Sequence, residues 1–65
     1  MAGQSGRSIY FEFVPIGPQI KVSAIDSVTR TEVSVIVPRT AMRKDMERLA
    51  LRKLQRALER HESGQ

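Results

Sequence analysis

The 65-residue sequence contains no cysteine and no tryptophan, and its only aromatic side chains are one tyrosine and two phenylalanines. Without cysteine, neither a disulfide framework nor a zinc knuckle can add stability to so short a chain. Both phenylalanines fall at predicted core positions, which leaves Tyr10 alone for base stacking, whereas single-strand binding surfaces use several exposed aromatics. A chain without cysteine is compatible with a reducing compartment, and we expect the protein to be cytoplasmic.

Long apolar runs are also missing. No run approaches the roughly 20 residues that cross a bilayer, and the opening MAGQSGRS lacks the apolar segment of a signal peptide. The sequence therefore predicts no membrane association. We expect disordered tails at 1–8 and 63–65 around one small domain at 9–62.

Charge is concentrated in one half of the chain. Residues 1–38 carry three basic and three acidic side chains and are neutral, whereas residues 39–65 carry eight basic and four acidic ones. The whole net charge of +4 therefore lies in the C-terminal segment.

Three segments alternate apolar and polar residues with period two, which is typical of half-buried strands. They span residues 9–14, 19–26 and 31–37. One apolar face is predicted to consist of Ile9, Phe11, Phe13, Ile20, Val22, Ala24, Val33, Val35 and Val37. The opposite face mixes polar and apolar residues.

Two short loops predict hairpins between these strands. The first, PIGP at 15–18, contains proline and glycine, which favour turns. Pairing Val14 with Gln19 around it sets Phe13 opposite Ile20 and keeps the apolar residues on one face.

In the same register Glu12 lies opposite Lys21, a favourable cross-strand pair. The second loop, SVTR at 27–30, predicts that Asp26 pairs with Thr31. A three-stranded antiparallel meander follows from these two hairpins.

One amphipathic helix follows Pro38. Thr40 is a plausible N-cap, and from Ala41 to about His61 no glycine or proline interrupts a run of strong helix formers. Its apolar side is predicted to comprise Met42, Met46, Leu49, Ala50, Leu54, Ala57 and Leu58. The predicted fold is α+β: a three-stranded antiparallel β-meander packed by one C-terminal amphipathic α-helix, in the order β-β-β-α.

The segments YFEFVPIGPQIKVSAID at 10–26 and ERLALRKL at 47–54 resemble a family of short, uncharacterised alphaproteobacterial proteins. The resemblance covers most of the chain beyond the first eight residues. It implies a compact domain of unknown function in a bacterial cytoplasm, and it carries no functional residues over.

Few side chains are placed for catalysis or metal binding. His61 is the only histidine and lies at the end of the predicted helix. Glu12 and Glu32 lie on either side of Lys21 in the predicted sheet. We interpret these three residues as a surface charge cluster rather than a catalytic pair of carboxylates. No zinc, calcium or phosphate-loop spacing occurs. We therefore expect no enzyme activity, no cofactor, no metal and no small-molecule substrate.

Self-association is the first function that the pattern favours. The apolar arc of the helix is wider than one sheet requires, and the outer sheet face carries apolar residues. The candidate dimer surface is Tyr10, Ile25, Ile36, Leu51 and Leu58. The leading hypothesis is a non-enzymatic protein–protein interaction module that forms a homodimer or binds another protein. The alternative to the homodimer is a monomer that tolerates these exposed residues.

A basic row is the second candidate surface. It consists of Lys44, Arg48, Arg52, Arg56 and Arg60, four residues apart along the helix. Such a row is either a solvated helix face or a surface for an acidic partner or phosphates. The alternative function is therefore weak, non-specific nucleic-acid binding by the helix. Reading of DNA by the sheet is less favoured, because Glu12 and Glu32 make its outer face neutral to negative.

Overall fold

The computed structural model describes residues 7–62. The elements are β1 (Ile9–Ile16), β2 (Gln19–Asp26), β3 (Glu32–Pro38) and α1 (Arg43–Glu62). The strands form one antiparallel sheet in the order β1-β2-β3. The predicted α+β fold is confirmed. Most of the two predicted tails, residues 1–6 and 63–65, lies outside the described residues.

The predicted register between β1 and β2 is wrong by two residues. Phe13 lies opposite Val22 instead of Ile20, and Glu12 lies opposite Ser23 instead of Lys21. The turn is shorter than expected, because Ile16 still pairs with Gln19 and only two residues connect them. A shift of two residues leaves every side chain on its predicted face.

The turn itself explains the shorter loop. Gly17 has a φ of 58°, a left-handed value that glycine adopts without steric cost. Proline fixes a negative φ at position 18. A positive φ followed by a negative one is the pattern of a type II′ turn, which suits a two-residue hairpin.

Pro15 and Pro38 both lie inside strands, where proline usually disrupts a ladder. The hydrogen bond from Asp26 N–H to Thr31 O shows that even-numbered residues of β2 point their backbone groups toward β3. By alternation, odd-numbered residues of β1 and even-numbered residues of β3 point away from the sheet. At both positions a backbone N–H would point away from the neighbouring strand, so the prolines remove no hydrogen bond from the sheet.

The predicted register between β2 and β3 is confirmed. Val22 lies opposite Val35 and Ile20 lies opposite Val37. In the connecting loop, Arg30 has a φ of 65° and donates its N–H to the Asp26 carbonyl at 2.8 Å.

The helix begins two residues later than predicted, and Thr40 does not cap it. Ala41 N–H donates to Pro38 O at 3.0 Å, so residues 38–41 form a turn. The carbonyl of Met42 accepts the N–H groups of Asp45 and Met46, which places Met42 at the N-cap. Asp45 in the first turn is favourable to the helix dipole.

The core lies between one row of the helix and the inner face of β2 and β3. The helix packs against these two strands. The buried apolar residues are Val22, Ala24, Val37, Met46, Ala50, Leu54 and Leu58. Two residues of the predicted apolar side of the helix lie outside this core, since Met42 is 67% exposed and Leu49 is 45% exposed. The buried helix row repeats every four residues, and these two side chains lie beside it.

Candidate partner-binding surfaces

The basic row is a continuous exposed surface. All five of its residues are exposed. Each lies two residues from a member of the buried row, which corresponds to about 200° around a helix. The row therefore runs parallel to the buried one on the opposite side of α1, away from the sheet.

Acidic residues engage part of this row. Arg48 lies 3.7 Å from the carboxylate of Asp45, and both side chains are more than half exposed. Arg60 also has an interaction within the protein. An exposed ion pair such as that of Arg48 with Asp45 contributes roughly 0–1 kcal/mol, so it does little to occupy the row.

The outer sheet face gathers apolar side chains that water still reaches. Tyr10, Ile25 and Ile36 of the predicted dimer surface lie on it together, and Tyr10 is 59% and Ile36 52% exposed. Val14 and Ile16 extend the same face, and they were missed. The corrected turn would have revealed Ile16, because it moves this residue from the loop into the strand.

The other two residues of the predicted dimer surface lie elsewhere. Leu58 is only 9% exposed and belongs to the core, so it offers little surface to a partner. Leu51 is half-buried on the helix. Both residues belong to α1, which packs on the inner side of the sheet, whereas Tyr10 and Ile36 lie on the outer side.

The inner side of β1 is only partly covered. Ile9, Phe11 and Phe13 are half-buried and pack against the edge of the core. The guanidinium of Arg43 lies 4.4 Å from the centre of the Phe13 ring, a cation–π contact. One flexible cation thus covers the ring where the helix backbone does not reach.

The two edges of the sheet differ. On β3, the Lys53 ammonium donates to the outward carbonyl of Ser34 at 2.7 Å. On β1, the outward backbone groups belong to Ile9, Phe11 and Phe13. Within residues 7–60 no loop or side chain hydrogen-bonds to them. In this part of the chain the edge of β1 is therefore open, and that of β3 is partly capped.

Asp26 is a buried carboxylate that the pattern did not single out. It is 0% exposed, and its Oδ2 accepts the Thr29 N–H at 2.8 Å and the Thr29 hydroxyl at 2.9 Å. Arg7 Nε lies 3.1 Å from Oδ1, but poorly aligned, so Oδ1 has no hydrogen-bond partner within the described part of the chain. Ser8 also exchanges hydrogen bonds with Ser27. Arg7 and Ser8, which the predicted tail included, thus contact this loop.

The surroundings of Asp26 favour its ionised form. The Thr29 backbone N–H holds the pKa of this carboxyl below its ordinary value of 3.8. Burial opposes that effect, while the Thr29 hydroxyl and the Arg7 guanidinium reinforce it. The hydrogen-bond partners of Asp26 belong to the loop between β2 and β3. We therefore interpret this carboxylate as a structural one that holds the loop in place.

The described residues contain no pocket and no group of three acidic, histidine or cysteine side chains that could hold a metal ion. The side chain of His61 lies outside the described residues. No helix in this part of the chain has the length and apolar character needed to span a bilayer.

A family model described as a domain of unknown function (DUF6898) matches residues 6–61. No curated protein and no solved structure matches the chain. The predicted resemblance to a family without an established activity is therefore confirmed, and its alphaproteobacterial origin stays a prediction.

Proposed function

The chain belongs to this family of unknown function, and from that premise we propose that it is a non-enzymatic protein–protein interaction module that self-associates. The observation that carries the proposal is apolar surface that stays uncovered on both sides of the sheet, including the half-buried Ile9, Phe11 and Phe13 on the inner side of β1. Tyr10, Val14, Ile16 and Ile36 are each more than 40% exposed on one sheet face. Contiguous exposed apolar patches on small proteins mark interaction sites.

The size of the protein supports self-association. A chain of 65 residues buries a small fraction of its surface and is marginally stable alone. Within the described residues, the buried apolar core consists of seven side chains, of which two are alanines. Association removes further apolar surface from water and stabilises such a chain by mass action. The cytoplasm is the compartment that we propose, since a sequence without cysteine needs no oxidising environment.

Sedimentation equilibrium tests self-association directly. At tens of micromolar protein we expect a mass of twice 7.3 kDa, falling toward the monomer on dilution. A single monomer mass throughout that concentration range would contradict the proposal.

A second candidate function rests on the basic row. Its five cations are exposed along one side of α1, and they make up most of the basic residues in the segment 39–65. If duplex DNA or RNA is the partner, affinity should fall steeply as the salt concentration rises. The reason is that the basic side chains displace counterions from the phosphates when they bind.

Charge reversal tests this second candidate. Arg52→Glu with Arg56→Glu should abolish binding to duplex DNA or RNA at low salt. Lys21→Glu with Arg30→Glu makes the same change in net charge away from the row and should retain most of the binding. Equal losses in the two variants, or no binding by the unmodified chain, would remove the row as a nucleic-acid surface.

A further inference from the structure

We propose that two copies of this chain join through the open edge of β1, which pairs antiparallel with β1 of the second copy. This inference rests on the proposed self-association and locates it. The outward N–H and C=O groups of Ile9, Phe11 and Phe13 are free within residues 7–60. An open edge of this kind is a template for another strand.

The opposite edge is less suited to pairing. The outward carbonyl of Ser34 already accepts a hydrogen bond from Lys53. Pro38 lacks an N–H near one end of this edge and Pro15 lacks one near one end of the β1 edge, so proline does not distinguish the two edges. The lysine on the β3 edge is the feature that disfavours further pairing there.

Stacking two copies by their outer faces is disfavoured by charge. A two-fold axis parallel to β2 places Lys21 against Lys21 of the second copy. An axis across the strands at Ser23 places Glu12 against Glu12 instead. Burying like charges costs free energy that the apolar residues around them must offset. Edge pairing leaves these charges in water.

The free backbone groups define a register. A two-fold axis at Phe11 pairs Phe11 with itself and Ile9 with Phe13 of the second copy. Every outward group then meets a partner, and each pair exchanges both of its hydrogen bonds. On the inner face, the half-buried phenylalanines of the two copies come together above the joined strands.

The register shifted by two residues, with its axis at Glu12, is worse on two counts. It opposes Glu12 to Glu12 of the second copy, and like charges directly opposite destabilise a sheet. It also pairs Ile9 with Pro15, which lacks the N–H. The register centred on Phe11 sets Glu12 opposite Tyr10 instead, where the phenol can donate to the carboxylate.

The joined molecule is a continuous sheet of two three-stranded halves, with both helices on one face. The outer faces of the halves become one continuous surface that mixes charged and exposed apolar side chains. The gap between the helices lies above β1 of both copies, where Phe11 packs against its counterpart and Phe13 packs against Ile9 of the second copy. The incomplete cover of β1 by its own helix is thereby relieved.

Backbone N-methylation by chemical synthesis tests the edge without changing any side chain. N-methylation of Phe11 removes the outward N–H at the two-fold axis and leaves the β1–β2 ladder intact. Two hydrogen bonds per dimer are lost, so we expect the dimer dissociation constant to rise at least about thirtyfold. N-methylation of Ile36 is the matched control, because it removes an outward N–H of β3, and it should leave the constant unchanged.

The outcomes separate this inference from the proposed function. Loss of the dimer only with methylated Phe11 supports the β1 edge. A dimer that survives this change, or one lost only with methylated Ile36, overturns the edge and retains self-association. A monomeric unmodified chain overturns both. Circular dichroism of each methylated chain verifies that it is folded.

Cysteine pairing tests the register in a protein that has no cysteine of its own. Tyr10→Cys and Glu12→Cys, mixed and oxidised, should form the mixed disulfide in clear excess over either symmetric one, because those positions face each other across the edge. Preferential linking of Glu12→Cys to itself places the axis at Glu12 and overturns the proposed register.

Discussion

At the scale of single residues, Asp26 connects three parts of the chain. It ends β2, accepts two hydrogen bonds from Thr29 and forms an ion pair with Arg7. Its carboxylate accepts the Thr29 N–H in place of a backbone carbonyl, which is a common role of aspartate in turns. No periodic pattern identifies such a residue, because its partners depend on the course of the loop.

We expect Asp26→Asn to lower the stability of the fold at neutral pH and to lower it less in acid. The folded-state pKa is depressed, so the stabilisation is present above the unfolded value of 3.8 and is lost as the pH falls through the folded value. Urea unfolding at about pH 7 and about pH 3 should show the gap between variant and unmodified chain narrowing.

Asp45→Asn, the same change at an exposed helix position, is the control. It should cost less stability than Asp26→Asn near neutral pH. A gap for Asp26→Asn that is equally large in acid would show that shape rather than charge matters at this site.

At the scale of elements, the helix has a narrower contact with the sheet than its composition suggests. Its buried row is Met46, Ala50, Leu54 and Leu58. Leu49 has the same chemistry as Leu54 and differs only in its place around the helix. This pair of leucines offers a direct measure of burial.

Leu54→Ala should reduce the free energy of unfolding by roughly 2–5 kcal/mol, because it removes a fully buried side chain and leaves a cavity. Leu49→Ala should cost less than about 1 kcal/mol, since a 45% exposed side chain loses little burial. Urea denaturation of both variants gives the comparison. Equal losses would mean that Leu49 is covered in solution, which would point to a second contact on that side of α1.

At the scale of the whole molecule, self-association should make stability depend on protein concentration. If unfolding and dissociation are coupled, a tenfold increase in concentration should raise Tm by roughly 4 °C for a chain of this size. Scanning calorimetry over two decades of concentration measures this. The chain N-methylated at Phe11 is the control and should melt at one temperature throughout. A concentration-independent Tm for the unmodified chain would contradict coupled unfolding.

The sequence by itself determined the strand faces, the order β-β-β-α, the β2–β3 register and the exposed basic row. Each follows from a local period: two for strands, 3.6 for the helix, and an even spacing of four for the cations. These periods are set by backbone geometry, so they survive even where a turn is misjudged, as the Gly17 hairpin shows.

Only the tertiary structure decided which parts of those faces are covered. The placement of α1 over β2 and β3 buries Leu58, exposes Leu49 and leaves Phe11 and Phe13 half-covered beside an open edge. The hydrogen bonds of Asp26 with Thr29 and its ion pair with Arg7 also became apparent only in the tertiary structure. The physical reason is that these features depend on contacts between residues distant in sequence. The apolar side of the helix is wide enough to pack on the sheet in more than one rotation, and only the packing itself determines which residues are buried.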